Sequence, residues 1–224
     1  MTVIEPSIKD IEHLNQKKKY SSPLRLWHWL SAIVITGSLL TVLANSTITN
    51  NRKNAAIIKT ELLNNKIAVN SDQARSAAHE ISDKVWELHT YFGYILAALL
   101  LFRLIVEILQ PADQKLIPKI KSAYSNYLVI KQHRELARQE FVVKTLYAVF
   151  YLLLMIMVVT GLCLAFEDNV AALKKIHAIK EIHGFCMYLI IAFIVVHLAG
   201  VFLAERKDSP GIVSDMINGG KADS

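Results

Sequence analysis

The sequence predicts an all-α membrane protein, a bundle of four transmembrane helices with both termini cytoplasmic and a short interfacial helix at the C-terminus. Hydrophobic residues make up 53% of the 224 residues and charged residues only 20%, whereas a typical soluble domain has about 25% charged residues. The apolar residues are concentrated in four stretches, and a helix needs roughly 20 of them to cross the hydrocarbon core. Because the residues outside these stretches are divided among the termini and the connecting loops, with no room for a separate soluble domain, we predict one membrane domain over residues 1–224.

The four apolar stretches define the predicted spans. The first contains 19 consecutive uncharged residues, 26–44, which exceeds the roughly 7–15 apolar residues of a cleaved signal peptide. We therefore prefer a transmembrane helix to a signal peptide at this position. The second stretch carries Arg103 and Glu107, whereas the third, 145–166, and the fourth, 182–204, carry no charge. The predicted transmembrane helices are residues 24–45, 86–109, 142–166 and 182–204.

The basic residues predict the orientation in the membrane. Of the 25 Lys and Arg residues, 16 fall within segments 1–25, 103–144 and 205–224. Because cytoplasmic loops are enriched in Lys and Arg, we predict that both termini and loop 110–140 are cytoplasmic. Loop 46–84 then lies on the outer side. The net charge of +6 mostly reflects this orientation, and no basic cluster with interleaved aromatic residues supports nucleic-acid binding.

Local sequence features predict helix ends outside the spans. Ser71 is a candidate N-cap for a second helix that begins before the membrane. In the cytoplasmic tail, Ser209 and Pro210 are suited to a helix start, and Gly219 with Gly220 to its end. Tryptophans near both membrane faces are typical of aromatic belts, and they are Trp27, Trp29 and Trp86.

Eight histidines divide into two groups of four. His28 and His89 lie near the starts of the first and second spans, and His183 and His197 lie in the fourth. The other four, His13, His79, His133 and His177, lie outside the apolar spans. Ionisable residues inside a membrane are costly and usually functional, so the first group is the candidate site.

Helix geometry predicts that the four membrane histidines form two pairs. His183 and His197 are 14 residues apart, about four turns, so they share a face and lie roughly 21 Å apart along the axis. Span direction places His89 at the depth of His183, and His28 at the depth of His197. Two imidazoles from facing helices with an apolar slot between them are what a haem iron needs. We therefore predict two bis-histidine haem b sites, His28/His197 and His89/His183.

Other residues are predicted to contact these cofactors. Arg25 and Arg103 share helix faces with His28 and His89 and are candidates to neutralise haem propionates. The alternatives are an ion pair of Arg103 with Glu107, and a role of Arg25 as a positive-inside anchor. Small residues beside the ligands leave room for a flat macrocycle, and they are Gly93, Gly184 and Gly200.

The cysteines and methionines of the spans are predicted to be packing residues. Cys163 and Cys186 form no C-x-x-C pair, so covalent haem attachment and a zinc site are unsupported, and both are expected to be small buried residues. We expect Met155, Met157 and Met187 to pack rather than to ligate iron, because four histidines already supply two axial ligands to each of two irons.

The run Arg25-Leu26-Trp27-His28-Trp29 resembles the R-x-W-H-W opening of bacterial four-helix di-haem b-type cytochromes. Such proteins include the membrane subunits of nickel–iron hydrogenases, related formate dehydrogenase subunits, and the stand-alone bacterial cytochrome b561. His89 followed by Gly93 and Arg103, and the pair His183 and His197, match the same pattern. The tail is similar to that of the hydrogenase-type members, and the resemblance covers about residues 22–221.

The resemblance implies a respiratory electron-transfer subunit with no bond chemistry beyond quinone redox. It would carry single electrons across the inner membrane between a periplasmic partner and the quinone pool. The partner would be a hydrogenase, a dehydrogenase or a cytochrome c, and a homodimer is left open. One alternative is a stand-alone superoxide:quinone oxidoreductase of the cytochrome b561 type. Another is a haem-free membrane scaffold in which the histidines are structural.

Overall fold

The computed structural model describes residues 20–109, 115–129, 134–170, 173, 176–207 and 210–220. These residues form helices and connecting turns, with no β-strand among them. The helices are α1 (Ser22–Thr47), α2 (Asn51–Asn64), α3 (Ser71–Leu109), α4 (Leu116–Val129), α5 (Arg134–Ala165), α6 (His177–Arg206) and α7 (Ile212–Asn218). The predicted all-α class is confirmed.

Four helices are long and apolar enough to cross a membrane, namely α1, α3, the Phe141–Ala165 part of α5, and α6. Many of their large apolar side chains are exposed, including Phe185 (64%), Val195 (62%) and Leu198 (61%). Apolar surface of this extent is unfavourable in water and expected against lipid tails. The prediction of four membrane-spanning helices and a short C-terminal helix is therefore confirmed.

The described chain forms two compact units. The larger unit is Leu30–Ile190, and the smaller combines the described residues of Met1–Trp29 and Ile191–Ser224. The boundaries between them fall within α1 and within α6. Each unit contains one of the two predicted histidine pairs, so each can be described by itself.

In the larger unit, α2 packs against the part of α3 that precedes the apolar span. The contact is built on small side chains, because Ala55 of α2 is buried together with Ala74 and Ala78 of α3. Ile58 and Val69 cover this cluster. Alanines let two helix backbones approach closely, so a short helix of low apolar content can dock firmly here.

The predicted N-cap of α3 is displaced by one residue. The Asn70 side chain accepts a hydrogen bond from the backbone N–H of Gln73 at 2.8 Å, and the Gln73 side chain accepts one from the N–H of Asn70 at 3.0 Å. This reciprocal pair is a capping box, so Asn70 and not Ser71 caps the helix. The Ser71 hydroxyl instead accepts a hydrogen bond from Lys59 Nζ at 2.8 Å.

The helices α1 and α3 meet at a glycine and at a polar pair. A Cβ at Gly37 would lie 2.6 Å from the Phe92 ring, so only glycine allows this approach. Nearer the end of α1, the Ser82 hydroxyl donates to Asn45 Oδ1 at 2.8 Å. This pairing satisfies the hydrogen-bonding needs of two polar side chains that lie at the edge of an apolar region.

Part of the predicted cytoplasmic loop 110–140 is helical. Helix α4 packs on α5, with the Tyr124 ring 5.4 Å and the Tyr127 ring 6.1 Å from the ring of Phe141. Aromatic pairs at these distances add to the stability that apolar burial provides. Residues 110–114 and 130–133, including His133, lie outside the described part of the chain, as does His13.

In the smaller unit, the tail helix α7 begins and ends at glycines. Gly211 is its N-cap with φ of 91°, and Gly219 its C-cap with φ of 105°, both in the left-handed region that favours glycine. The predicted end at Gly219 and Gly220 is confirmed. The predicted cap Ser209 lies outside the described residues, and the helix starts two residues beyond Pro210.

The carbonyl end of α7 is bound to the start of α1. Trp29 Nε1 donates to the Met216 carbonyl at 3.2 Å, Arg25 donates to the Ile217 carbonyl, and the Tyr20 N–H donates to the Gly219 carbonyl at 3.0 Å. Cationic and N–H donors stabilise the C-terminal end of a helix. The Trp29 indole N–H is therefore bound to the tail while its ring stays 41% exposed, and Trp27 is buried.

The other end of α7 is held by Glu205, whose carboxylate accepts from the N–H groups of Gly211 at 2.8 Å and Val213 at 3.3 Å. We predict that Glu205→Ala frees the tail, because two N–H groups at the helix start lose their acceptor. Faster cleavage of the tail by a protease, or faster hydrogen exchange at residues 212–218, checks this. Lys207→Ala is the control, and equal rates in the two variants would contradict the capping role.

Candidate functional sites

In the larger unit, His89 of α3 faces His183 of α6. The centroids of the two imidazole rings are 6.4 Å apart, and the ring planes are inclined by 82°. The Trp86 ring lies 5.4 Å from His89 in an edge-on arrangement. Both histidines come from helices that are long enough to span a membrane, so the pair is set between two apolar segments.

Hydroxyl groups contact the Nδ1 atoms of this pair. Thr41 Oγ1 lies 2.9 Å from Nδ1 of His89, and Thr160 Oγ1 lies 2.9 Å from Nδ1 of His183. The hydroxyl and carbonyl oxygens of Ser38 are each 3.3 Å from Nδ1 of His89. Among the described residues, no hydrogen bond of either ring involves Nε2, so Nε2 is the nitrogen left for a ligand.

The neighbourhood of this pair includes an apolar cavity. Its walls come from all four spanning helices, with Ser38 and Leu39 of α1, Leu96 of α3, Met157 of α5 and Met187 of α6. Ser38 therefore connects the cavity to the His89 ring. The two methionines line apolar space here, as expected for packing residues.

In the smaller unit, His28 of α1 faces His197 of α6. The ring centroids are 6.3 Å apart and the planes are inclined by 59°. The Phe193 ring stacks parallel to His197 at 5.9 Å, and the Trp29 ring lies edge-on to His28 at 5.2 Å. Nδ1 of His28 is buried and has no hydrogen-bond partner among the described residues. The structure thus brings the four membrane histidines together in the two combinations that helix geometry predicts.

Arg103 lies in a polar cluster within the spanning part of α3. It makes an ion pair with Glu107 at 2.8 Å, donates through Nε to the Tyr151 hydroxyl at 3.0 Å, and lies 5.4 Å from the Tyr151 ring centroid. Glu107 also accepts from the N–H of Leu116 at the start of α4. The ion pair that the sequence offered as an alternative is present. Even so, Nη1 of Arg103 is buried without a partner among the described residues.

Arg25 has a similar unused nitrogen. Its guanidinium donates to the Ile217 carbonyl and to the Ser22 hydroxyl, the latter at 3.1 Å, while Nε is buried and has no partner in the described part of the chain. A buried donor without an acceptor costs free energy, so such atoms point to a missing acceptor. Both arginines proposed to meet a propionate therefore keep one donor for it.

Three glycines that the sequence placed beside the ligands border open space. A Cβ added to Gly93, Gly184 or Gly200 would meet nothing within 4 Å. Gly161 differs, because a Cβ there would lie 3.1 Å from Cε1 of His183. The sequence does not predict the roles of Gly161, Thr41 and Thr160, because each lies beside a histidine of another helix and no spacing along the chain connects them.

We predict that Gly161→Val weakens metal or cofactor binding at the His89/His183 pair. The new side chain would push the His183 ring away from its position opposite His89, and disturbing the groups that support a metal ligand typically lowers affinity about 10–100-fold. Titration of the cofactor into the variant measures this. Val159→Leu, at an exposed position on the same helix, is the control for added volume. Unchanged affinity in Gly161→Val would contradict the crowding.

The two remaining histidines of the described ranges belong to neither pair. Nδ1 of the exposed His79 lies 2.8 Å from the Asp83 carboxylate, and His177 is exposed at the start of α6. In the described ranges, no group of three or more His, Cys, Asp or Glu side chains is arranged to hold a metal ion. The membrane histidines of this part of the chain thus lie in two facing pairs.

Comparison with known families agrees with these features. A family model described as prokaryotic cytochrome b561 matches residues 19–219, which include all the spanning helices and α7. No curated protein and no solved structure matches the chain. The matched family consists of membrane b-type cytochromes that transfer electrons, and b-type cytochromes bind haem b. This chain therefore belongs to the prokaryotic cytochrome b561 family.

Proposed function

We propose that this chain is a di-haem b-type cytochrome that carries single electrons across the bacterial inner membrane, between a periplasmic redox partner and the quinone pool. The two histidine pairs would each hold one haem b. No bond chemistry beyond quinone oxidation and reduction is assigned to the chain. The proposal rests above all on one observation, the spacing of the facing imidazoles in both pairs.

The spacing of the rings fits axial coordination of one metal by two histidines. An imidazole–metal bond is about 2.0–2.1 Å long and the ring centroid lies about 1.1 Å behind the nitrogen, so two ligands place their centroids about 6.2–6.4 Å apart. The observed distances are 6.3 Å for His28/His197 and 6.4 Å for His89/His183. Packing alone would not require both pairs to have this separation.

The surrounding residues also fit haem b. The buried donors Nε of Arg25 and Nη1 of Arg103 could each bind a propionate, and the open space at Gly93, Gly184 and Gly200 suits a flat ring. When bound, haem b supplies reversible one-electron oxidation and reduction at iron. The histidines would occupy both axial positions, so no position remains for a substrate at the metal. The apolar spans exclude water and lower the local dielectric constant, which helps to set the potential.

The excess of Lys and Arg in the termini and in loop 110–140 supports a cytoplasmic location for them. The His89/His183 pair would then face the periplasm. The outer segment that contains α2 would lie beside it, and a soluble donor would dock there. Quinone would exchange electrons nearer the His28/His197 pair.

A reduced-minus-oxidised absorption spectrum of the purified full chain tests the central claim. We expect a b-type α band and about two haems per chain by haem extraction, one for each bis-histidine pair. A chain without an α band would contradict the haem assignment and would support the haem-free scaffold.

The partner is tested separately on native membranes. Co-purification with a periplasmic hydrogenase, dehydrogenase or cytochrome c, together with reduction of the haems by that protein, is the expected outcome. Rapid haem reduction by superoxide, with no periplasmic donor, would support the stand-alone superoxide:quinone oxidoreductase instead. A quinone analogue should reoxidise the reduced haems in either case.

A further inference from the structure

The two histidine pairs differ in what their Nδ1 atoms contact. Nδ1 of His89 and Nδ1 of His183 each lie 2.9 Å from a threonine hydroxyl, those of Thr41 and Thr160. Nδ1 of His28 is buried without a hydrogen-bond partner among the described residues. No hydrogen bond of the His197 ring occurs in the same part of the chain. This difference is independent of the ring spacing that both pairs share.

The direction of the threonine hydrogen bonds follows from the other contacts of each hydroxyl. The Thr41 hydroxyl donates to the Ser38 carbonyl at 2.6 Å, and the Thr160 hydroxyl donates to the Ile156 carbonyl at 2.6 Å. A hydroxyl has one proton, so towards the imidazole each oxygen acts as the acceptor. Nδ1 of each ring must then carry the proton that it donates.

A protonated Nδ1 leaves Nε2 of a neutral imidazole with a free lone pair. The hydroxyls therefore select the tautomer that can bind a metal through Nε2, and they hold the ring in one orientation. A ligating imidazole that donates its other N–H also becomes more electron-rich. An electron-rich ligand stabilises oxidised iron more than reduced iron, so such a hydrogen bond lowers the reduction potential.

We propose that Thr41 and Thr160 are positioning residues that fix the tautomers of His89 and His183 and lower the reduction potential of the haem held by this pair alone. The inference rests on the proposed bis-histidine sites and adds to them an asymmetry between the two haems. The His28/His197 haem lacks these acceptors, so its potential is set without them.

The experiment is a spectroelectrochemical titration of the full two-haem chain and its Thr41→Val and Thr160→Val variants. Valine keeps the shape of threonine and removes the oxygen. We expect each valine variant to shift one haem transition to a more positive potential, with the other transition unchanged. The shift should be smaller for Thr41→Val, because the Ser38 carbonyl oxygen lies 3.3 Å from Nδ1 of His89 and remains as an acceptor. At a fixed potential near the midpoint, the ratio of reduced to oxidised haem should rise a few-fold.

To identify which haem has the shifted potential, each valine substitution is combined with an alanine substitution that removes one of the two haems. Thr160→Val should shift the remaining transition in a His28→Ala background, and should have no effect in a His183→Ala background. Thr145→Val is the matched control, because the Thr145 hydroxyl donates to the Phe141 carbonyl at 2.8 Å on the same helix and has no hydrogen bond to a histidine of the described ranges. Thr41→Ser and Thr160→Ser keep the oxygen and should retain the wild-type potential.

The possible results separate failure of the threonine proposal from failure of the proposed function. Equal shifts of both transitions, no shift, or the same shift in Thr145→Val would overturn the proposal while leaving the bis-histidine sites intact. If a valine variant lost its haem, the serine variant at that position must keep both the haem and the potential, and loss in both would also overturn it. Absence of haem from the wild-type chain would instead refute the proposed function.

Discussion

Replacing His183 with alanine is expected to remove one haem and leave the other, so that haem content falls from about two to about one per chain. In the proposed site His183 would supply one of the two protein ligands, and the facing ring of His89 would not hold the iron alone. Haem extraction and the amplitude of the α band measure the loss. His177→Ala changes an exposed histidine of the same helix and should keep both haems.

Alanine substitutions of the other two membrane histidines test which histidines hold the same haem. His28→Ala and His197→Ala should remove one and the same haem, because their rings face each other at 6.3 Å. The double variant His28→Ala/His197→Ala should then retain as much haem as either single variant. Loss of the haem bound by His183 in His28→Ala would contradict the pairing, whereas retention of both haems would contradict His28 as a ligand.

Substitution of Arg103 is expected to cause a large loss of stability. Its side chain is only 12% exposed, and that of its partner Glu107 is 24% exposed. Arg103→Leu leaves the Glu107 carboxylate without its cation in an apolar segment. Removing one member of a buried ion pair typically costs about 3–5 kcal/mol. Unfolding in mixed micelles with increasing denaturing detergent measures the free-energy change, and haem content of the same samples separates it from cofactor loss.

A double substitution distinguishes the ion pair from general disruption. In Arg103→Leu/Glu107→Leu no charge is left unpaired, and replacing both partners by apolar residues is often nearly neutral, so most of the stability should return. Arg75→Leu is the surface control, because its ion pair with Asp72 is exposed and such pairs contribute little. A double variant as unstable as Arg103→Leu would contradict the coupling between the two charges.

Much of the fold could be predicted because its cause is local along the chain. Long apolar runs predict four spans, since each must cover the hydrocarbon core by itself. Gly219 and Gly220 predict the end of α7, since their backbone conformation disfavours other residues. The cap at Asn70 was missed by one residue, because Asn70 and Ser71 are both good capping residues and the side-chain geometry decides between them.

The candidate site likewise has features that the sequence predicts and features that it does not. Helix periodicity and span direction are enough to pair His28 with His197 and His89 with His183, because in a membrane the chain direction fixes the depth of each residue. Periodicity gives the face of a helix but not its neighbour, so it could not predict that Arg25 contacts the tail.

The sequence by itself thus determined the membrane class, the number of spanning helices and the pairing of the four membrane histidines, all of which follow from hydropathy and helical period. Only the tertiary structure decided that Thr41 and Thr160 contact the two histidine rings of the larger unit. It also decided that Gly161 makes room for His183 and that Arg103 donates a hydrogen bond to Tyr151. These contacts join residues distant in the chain, and they depend on the rotation of each helix about its axis, which side-chain packing sets.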